Sequence, residues 1–305
     1  MMQKPDLRVK IGKLNLQNPV MPASGTFGIE SCELCDVKKL GAIVPKSVTL
    51  NPRQGNKPPR VAETAGGMLN AVGIQNKGLD YFITETLPFY KDYGLPILVS
   101  ISAYSSDEFK KMVEVLNGQE TVSALELNIS CPNLEAGGKA FGMNPDATYE
   151  IVRTVKQMTD KVVIPKLTPN VEDIRVIAKA AQEAGADALA LTNTYIGMAI
   201  DIETRKPKLG NIIGGLSGPA IKPLSLRMVW QVAQVVDIPV IGLGGIQSWE
   251  DAIEYLLAGA TAIQVGTANF VHPNIMVDII EGIEQYMIKH QIPSIYELIG
   301  GIVIE

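Results

Sequence analysis

The sequence predicts an α/β fold: a single (β/α)8 TIM barrel with long active-site loops. Three observations predict it. Short apolar runs alternate with longer amphipathic stretches along the whole chain. The apolar runs are mostly continuous rather than alternating, as parallel strands covered on both faces require. No low-complexity linker divides the 305 residues, so 1–305 reads as one domain of a size common among α/β barrels.

Eight runs have strand character: Val20–Ala23, Ala42–Ser47, Ile97–Ile101, Leu125–Ile129, Val162–Leu167, Ala188–Leu191, Val240–Leu243 and Ala262–Val265. Helical stretches follow them at Cys32–Leu40, Leu79–Tyr93, Ser106–Asn117, Pro145–Thr159, Val171–Ala184, Ala220–Val235, Trp249–Ala258 and Ile275–Lys289. Ser105 and Ser248 stand where N-caps are needed, each followed by acidic residues that favour a helix start. Gly185 and Gly259 end two helices in the matching phrases Ala184-Gly185-Ala186-Asp187-Ala188 and Ala258-Gly259-Ala260-Thr261-Ala262. These read as a repeated helix-to-strand turn. An open doubly wound sheet is the competing architecture, but no Gly-x-Gly-x-x-Gly follows the early strands. Connections 48–78, 132–144 and 193–219 are too long for plain turns and read as ordered covers over a site.

Composition narrows the function. The formal net charge is −5, the pI is about 5.3, and no basic block stands out. Nucleic acid is therefore not an expected partner. No apolar run approaches the roughly 18 residues of a membrane span, so no membrane partner is expected. Three cysteines and a start without an apolar signal core point to a reducing, cytoplasmic setting. Cys32-x-x-Cys35 has no second cysteine pair, and the only histidines are His272 and His290. It reads as structural, and no metal site is expected.

Barrel enzymes work at the C-terminal ends of their strands. Here those ends carry Ser24-Gly25-Thr26, Lys46-Ser47, Ser100 with Ser102, Asn128 with Ser130 and Cys131, Lys166, Thr192-Asn193-Thr194, Gly244-Gly245 and Gly266-Thr267. The glycine loops after the last two strands suit a phosphate held by backbone N–H groups. Lys46 and Lys166 end apolar strands, where an unpaired charge is costly, and fit an anionic cofactor. Asn70, Asn128, Asn133 and Asn193 offer convergent amides for a planar substrate with imide and carboxylate groups. Cys131 follows the strand-four run and precedes Pro132, which stops that strand. A cysteine so placed is a candidate nucleophile or acid/base, or else a small buried hydrophobe.

Taken together, these motifs closely resemble the dihydroorotate dehydrogenase family. The resemblance rests on Asn18-Pro-Val-Met-Pro-Ala-Ser-Gly, Lys46-Ser47, Asn51-Pro-Arg-Gln-Gly-Asn with Pro59-Arg60, and Leu69-Asn70-Ala-Val-Gly. It extends through Leu127-Asn-Ile-Ser-Cys-Pro-Asn, Lys166-Leu-Thr-Pro-Asn, Gly214-Gly-Leu-Ser-Gly-Pro-Ala and Gly242-Leu-Gly-Gly-Ile. Cysteine at 131 looks like class 1, and Glu135-Ala-Gly-Gly-Lys-Ala-Phe-Gly and Gly266-Thr-Ala-Asn-Phe look like class 1B.

The resemblance implies FMN in this chain, with a homodimer joined in a heterotetramer by a partner subunit bearing FAD and a 2Fe–2S cluster that passes electrons to NAD. It implies FMN contacts from Ser24, Lys46, Ser47, Ser100, Asn128, Lys166, Thr192, Gly218, Gly244, Gly245, Gly266 and Thr267. It implies dihydroorotate contacts from Lys46, Asn70, Ala71, Val72, Gly73, Ile74, Asn128, Asn193 and Thr194, with Cys131 as the base. Ser100 departs from the family, which usually has an asparagine there. The competing readings are the fumarate-using class 1A, a dihydropyrimidine- or dihydrouridine-type flavin enzyme, a Schiff-base aldolase using Lys166, and a flavin electron-transfer module.

Overall fold

Seven parallel strands curl into one sheet, and an eighth, irregular segment completes the circle of a (β/α) barrel. The computed structural model describes residues 4–129, 135–136 and 139–304. In spatial order the strands are Val20–Pro22, Ala262–Val265, Val240–Leu243, Leu189–Leu191, Val162–Lys166, Val122–Asn128 and Ile97–Ile101. Each neighbouring pair runs parallel. The helices between them cover the outer face, so the strands are buried on both sides.

The run 42–47 is not a laddered strand, in contrast to the expectation from the sequence. It joins the sheet only through isolated bridges, Ile43 to Ile97 and Val48 to Ile101. Pro45 explains the difference, since it brings no N–H to a ladder. The other side closes where Gly41 N donates to Val20 O at 2.8 Å. A Cβ on Gly41 would sit 2.2 Å from Asn18 O, so only glycine lets the two segments meet.

The helices follow their sequence signals closely. Ser105 accepts from Glu108 N, and Ser248 accepts from Asp251 N, as N-caps do. Asn144 and Asp173 cap two further helices in the same way. The paired Gly185 and Gly259 turns share one geometry. Both glycines have positive φ, and the residue after each donates to a carbonyl five residues back: Ala186 to Ala181 and Ala260 to Tyr255. That is the Schellman closure of a helix end.

Two expected helices differ. The stretch 32–40 forms two short 3-10 turns, Ile29–Glu33 and Val37–Lys39, rather than one helix. The stretch 79–93 is helical through Lys91 but contains a π-turn over Phe82–Thr86, just before Pro88, which cannot donate to the turn below it.

The long connections fold into a second layer at the barrel mouth. Strands Tyr195–Met198, Ile213–Ser217, Gly67–Asn70 and Val61–Thr64 form one antiparallel sheet in that order. Two separate covers thus become one structure. At the opposite end the hairpin Val9–Ile11/Leu14–Leu16 closes the barrel floor, its Gly12 turn lying against Val162 and Asp187.

Phe109, fully buried, meets Phe141 edge-on at 6.2 Å between ring centroids, just after the loop that follows strand Val122–Asn128. Phe109→Ala should cost about 3–5 kcal/mol through the cavity it leaves. Guanidinium denaturation of the variant should show this as a lowered midpoint with the slope unchanged.

Candidate active site

The polar groups at the strand ends converge into one connected array. Ser47 Oγ and Ser100 Oγ lie 2.8 Å apart, both buried. Asn128 Nδ2 donates to Ser47 Oγ at 3.5 Å, and Asn193 Nδ2 donates to Asn128 Oδ1 at 3.4 Å. Asn193 Oδ1 accepts from Thr194 N at 2.7 Å, and Asn170 Nδ2 donates to Thr194 O at 3.0 Å. Asn70 reaches the same region from the mouth sheet, donating to Gly215 O at 3.3 Å. Gly215 is pressed against Thr194, where an added Cβ would fall 2.1 Å from Oγ1. Barrel strands and mouth sheet therefore meet at Thr194, held by Asn170 on one side and packed on Gly215 on the other.

Lys166 stands beside this array. Its residue is 4 % exposed, and its ammonium donates to Ser24 Oγ at 3.1 Å and Gln264 Oε1 at 3.4 Å. Glu126 Oε1 lies 3.6 Å away. The expected burial of Lys166 is thus observed, together with two partners the sequence reading missed.

Lys46 differs from expectation. Its residue is exposed at the mouth rather than buried at a strand end. The reason is the irregular 42–48 segment, which does not hold it inward as a ladder would. Desolvation nevertheless lowers its pKa, the nearby Arg60 charge lowers it further, and Glu30 acts in the opposite sense. Lys46 lines a cleft of about 210 Å³ with Glu30, Asn76, Lys77 and Tyr81.

Residues 71–74 form a loop fastened by the neighbouring 53–60 segment. Asn56 N donates to Val72 O, Asn56 Nδ2 to Ala71 O, and Ala71 N to Arg60 O. Gly73 and Ile74 both have positive φ, which turns the loop sharply. Arg60 ties the segment together through Gln75 Oε1 and Gln54 O.

The glycine loops meet on the other side of the mouth. Gly244 has φ +132°, and its missing side chain makes room for Ser225, whose Oγ would lie 2.3 Å from a Cβ. Ser225 in turn bonds Thr192 Oγ1 at 2.8 Å. Tyr255 OH donates to Gly244 O at 2.7 Å, and burial raises the tyrosine pKa, keeping that donor protonated. Thr267 Oγ1 donates to Ser217 Oγ at 2.8 Å. Gly218 sits one residue further on and, like Gly245, has positive φ. An added Cβ on Gly266 would lie 3.6 Å from Ala23 and 3.8 Å from Thr26, ordinary contacts, so glycine is not needed there to relieve a clash.

Cys131, with Ser130 and Asn133, lies outside the described residues. Among the described residues no cluster of three metal-ligating side chains occurs.

The sequence reading missed Glu126, Gln264, Ser225 and Tyr255. The first two carried a signal. Each is a polar residue inside an apolar run, Leu125-Glu126-Leu127-Asn128 and Ile263-Gln264-Val265, and alternation places Glu126 on the same face as Asn128. Ser225 and Tyr255 come from helices and become site residues only through tertiary packing.

Cys32 and Cys35 are buried, and burial raises each thiol from 9.0 to about 11. The folded state favours the neutral thiol, so this stabilisation is present below pH 9 and fades as pH rises from 9 to about 11. Iodoacetamide at pH 8 should label these two residues about 100-fold more slowly in the native than in the unfolded chain. Peptide mapping of the alkylated sites checks this.

The family model described as dihydroorotate dehydrogenase matches residues 6–287. Curated relatives match almost end to end. The protein named dihydroorotate dehydrogenase B (NAD(+)), catalytic subunit, of Thermoanaerobacter pseudethanolicus is 52% identical over 302 residues, covering 98% of this chain and 100% of its own. Proteins of the same name from Bacteroides thetaiotaomicron and Geotalea uraniireducens are 50% and 51% identical. They cover 97% and 99% of this chain and 99% and 100% of their own.

Proposed function

The chain belongs to the dihydroorotate dehydrogenase family, and from that premise we propose that it oxidises (S)-dihydroorotate to orotate, in pyrimidine synthesis, as the catalytic subunit of an NAD-linked enzyme. The observation that carries this is the array at the barrel mouth: buried Lys166 beside the linked amides of Asn128 and Asn193. A planar imide and carboxylate need that combination of neutral donors and acceptors with a cation near by.

The chain is read as a single FMN-binding barrel domain, and the residues present fit FMN. An added Cβ on Gly266 would make only ordinary contacts, 3.6 Å to Ala23 and 3.8 Å to Thr26, and Gly244, Gly245 and Thr267 complete a loop pair suited to a phosphate. Ser24, Lys46, Ser47, Ser100, Asn128, Lys166, Thr192 and Gly218 would hold the ring and ribityl chain. The chemistry that bound FMN would supply is that of a hydride acceptor for C6 of the substrate.

The protein's own residues do the rest. Lys46, residues Asn70 to Ile74, Asn128, Asn193 and Thr194 hold the substrate and fix its orientation. Cys131 removes the proton from C5. Its thiolate has to be available at mild pH, which calls for a pKa near or below the ordinary 8.5. The Lys166 ammonium stabilises negative charge where it develops. Ser100, which stands where the family usually has an asparagine, is paired with Ser47 Oγ at 2.8 Å. A partner subunit carrying FAD and a 2Fe–2S cluster would supply the route to NAD, with the catalytic chain as a homodimer within a heterotetramer in the cytoplasm. Among the described residues no helix is long and apolar enough to cross a membrane.

The purified chain should be yellow and should bleach on anaerobic addition of dihydroorotate. A colourless chain trapped by borohydride with a carbonyl substrate would replace this reading with Schiff-base chemistry at Lys166. Rapid turnover of the isolated chain with fumarate would remove the NAD-linked part.

Cys131→Ala should keep its FMN but lose about 10²–10⁴-fold in the rate of flavin reduction by substrate, followed by stopped-flow absorbance. Cys131→Ser should retain part of the rate, with its pH optimum moved upward.

A further inference from the structure

The barrel interior holds a carboxylate that no step of the oxidation uses. Glu126 is fully buried in the strand Val122–Asn128, two residues before Asn128 and on the same inward face. Its Oε2 accepts from Gln264 Nε2 at 2.7 Å. Among the described residues its Oε1 accepts no hydrogen bond, and it lies 3.6 Å from Lys166 Nζ. Gln264, 1 % exposed, bridges the two charges: its Oε1 accepts from Lys166 Nζ while its Nε2 serves Glu126. The ammonium is thereby turned towards Ser24 Oγ at the mouth.

A buried ion pair is a weak source of stability, and well-packed apolar groups usually serve as well or better. Three polar groups from three strands are therefore better explained by what they do to Lys166. We propose that Glu126 is a positioning residue and built-in counter-charge for Lys166, acting partly through Gln264, and that it sets how much positive charge the lysine presents to the flavin. This rests on the reading that FMN lies against Lys166.

Removing the carboxylate leaves an unopposed cation beside the flavin, and electron uptake becomes easier. Glu126→Gln keeps the shape and a bond to Gln264. Its flavin two-electron midpoint potential should rise by at least ~30 mV, a tenfold gain in the reduction equilibrium. Glu126→Asp keeps the charge and should stay within about threefold of the wild type, or ~15 mV. A purely structural role predicts the reverse order, because the shorter aspartate leaves a cavity and the isosteric glutamine does not. Lys166→Met should lower the potential, and the neutral double variant Glu126→Gln/Lys166→Met should return close to the wild type.

The flavin-free chain gives an independent readout. Each single neutralisation leaves one buried charge unpaired and should lower the melting temperature. The double variant should recover most of the loss, a result that supports the pairing even where a single variant fails to hold FMN. If Lys166→Met leaves the potential unmoved, the placement of FMN against Lys166 fails, and the proposal with it. If Lys166→Met lowers it but Glu126→Gln does not raise it, the counter-charge role alone is overturned. Absence of recovery in the double variant also overturns it.

Discussion

A lysine inside a closed barrel has to be paired, and the rest of the mouth is arranged around that constraint. Lys166 ends a strand buried on both faces and has almost no access to water. At 3.6 Å, with an effective dielectric near 20, attraction to Glu126 is about 4–5 kcal/mol. Desolvation costs several kcal/mol for each ion. Summed over both ions that cost exceeds the attraction, so the pair depends on the further hydrogen bonds that Gln264 and Ser24 supply. These partners come from strands at both ends of the chain. Folding of the complete barrel and assembly of the charged site are therefore one event.

The same economy governs the neutral groups. A buried hydroxyl or amide without a partner costs about 1–3 kcal/mol. Ser100, Ser47, Asn128 and Asn193 avoid much of that cost by bonding each other in a row. A substrate with several carbonyl and N–H groups meets an array that is already ordered, so less entropy is lost on binding. The glycine loops add a rigid wall on the far side. Tyr255 and Ser225 hold Gly244 from behind, and both belong to the barrel's outer helices rather than to its loops.

Above the barrel, the mouth sheet links segments that are far apart in sequence. Gly214 and Gly215 let the strand Ile213–Ser217 approach Asn70 and Thr194 closely. Residues of the amide array thus rest partly on parallel barrel strands and partly on this antiparallel layer. A shift of one layer against the other would separate Gly215 from Thr194. Asn70 is held to Gly215 by paired backbone as well as by its side chain.

Much of this was legible in the chain itself. Continuous apolar runs, the Ser105 and Ser248 caps and the repeated Gly185 and Gly259 turns determined a barrel of parallel strands, because each depends on local geometry and a period of a few residues. The same runs determined which polar residues stand at the strand ends, and motif resemblance supplied the chemistry expected of them. Tertiary structure alone decided the rest. It broke the ladder at Pro45 and exposed Lys46, where a regular strand had been expected. It merged two long loops into one sheet and chose Glu126 and Gln264 as partners for Lys166. The physical reason is separation: Glu126 and Gln264 stand 138 residues apart. A local pattern can mark each as a polar residue on an inward face. Only closure of the barrel determines which polar groups then share the interior, and which charge each one must answer.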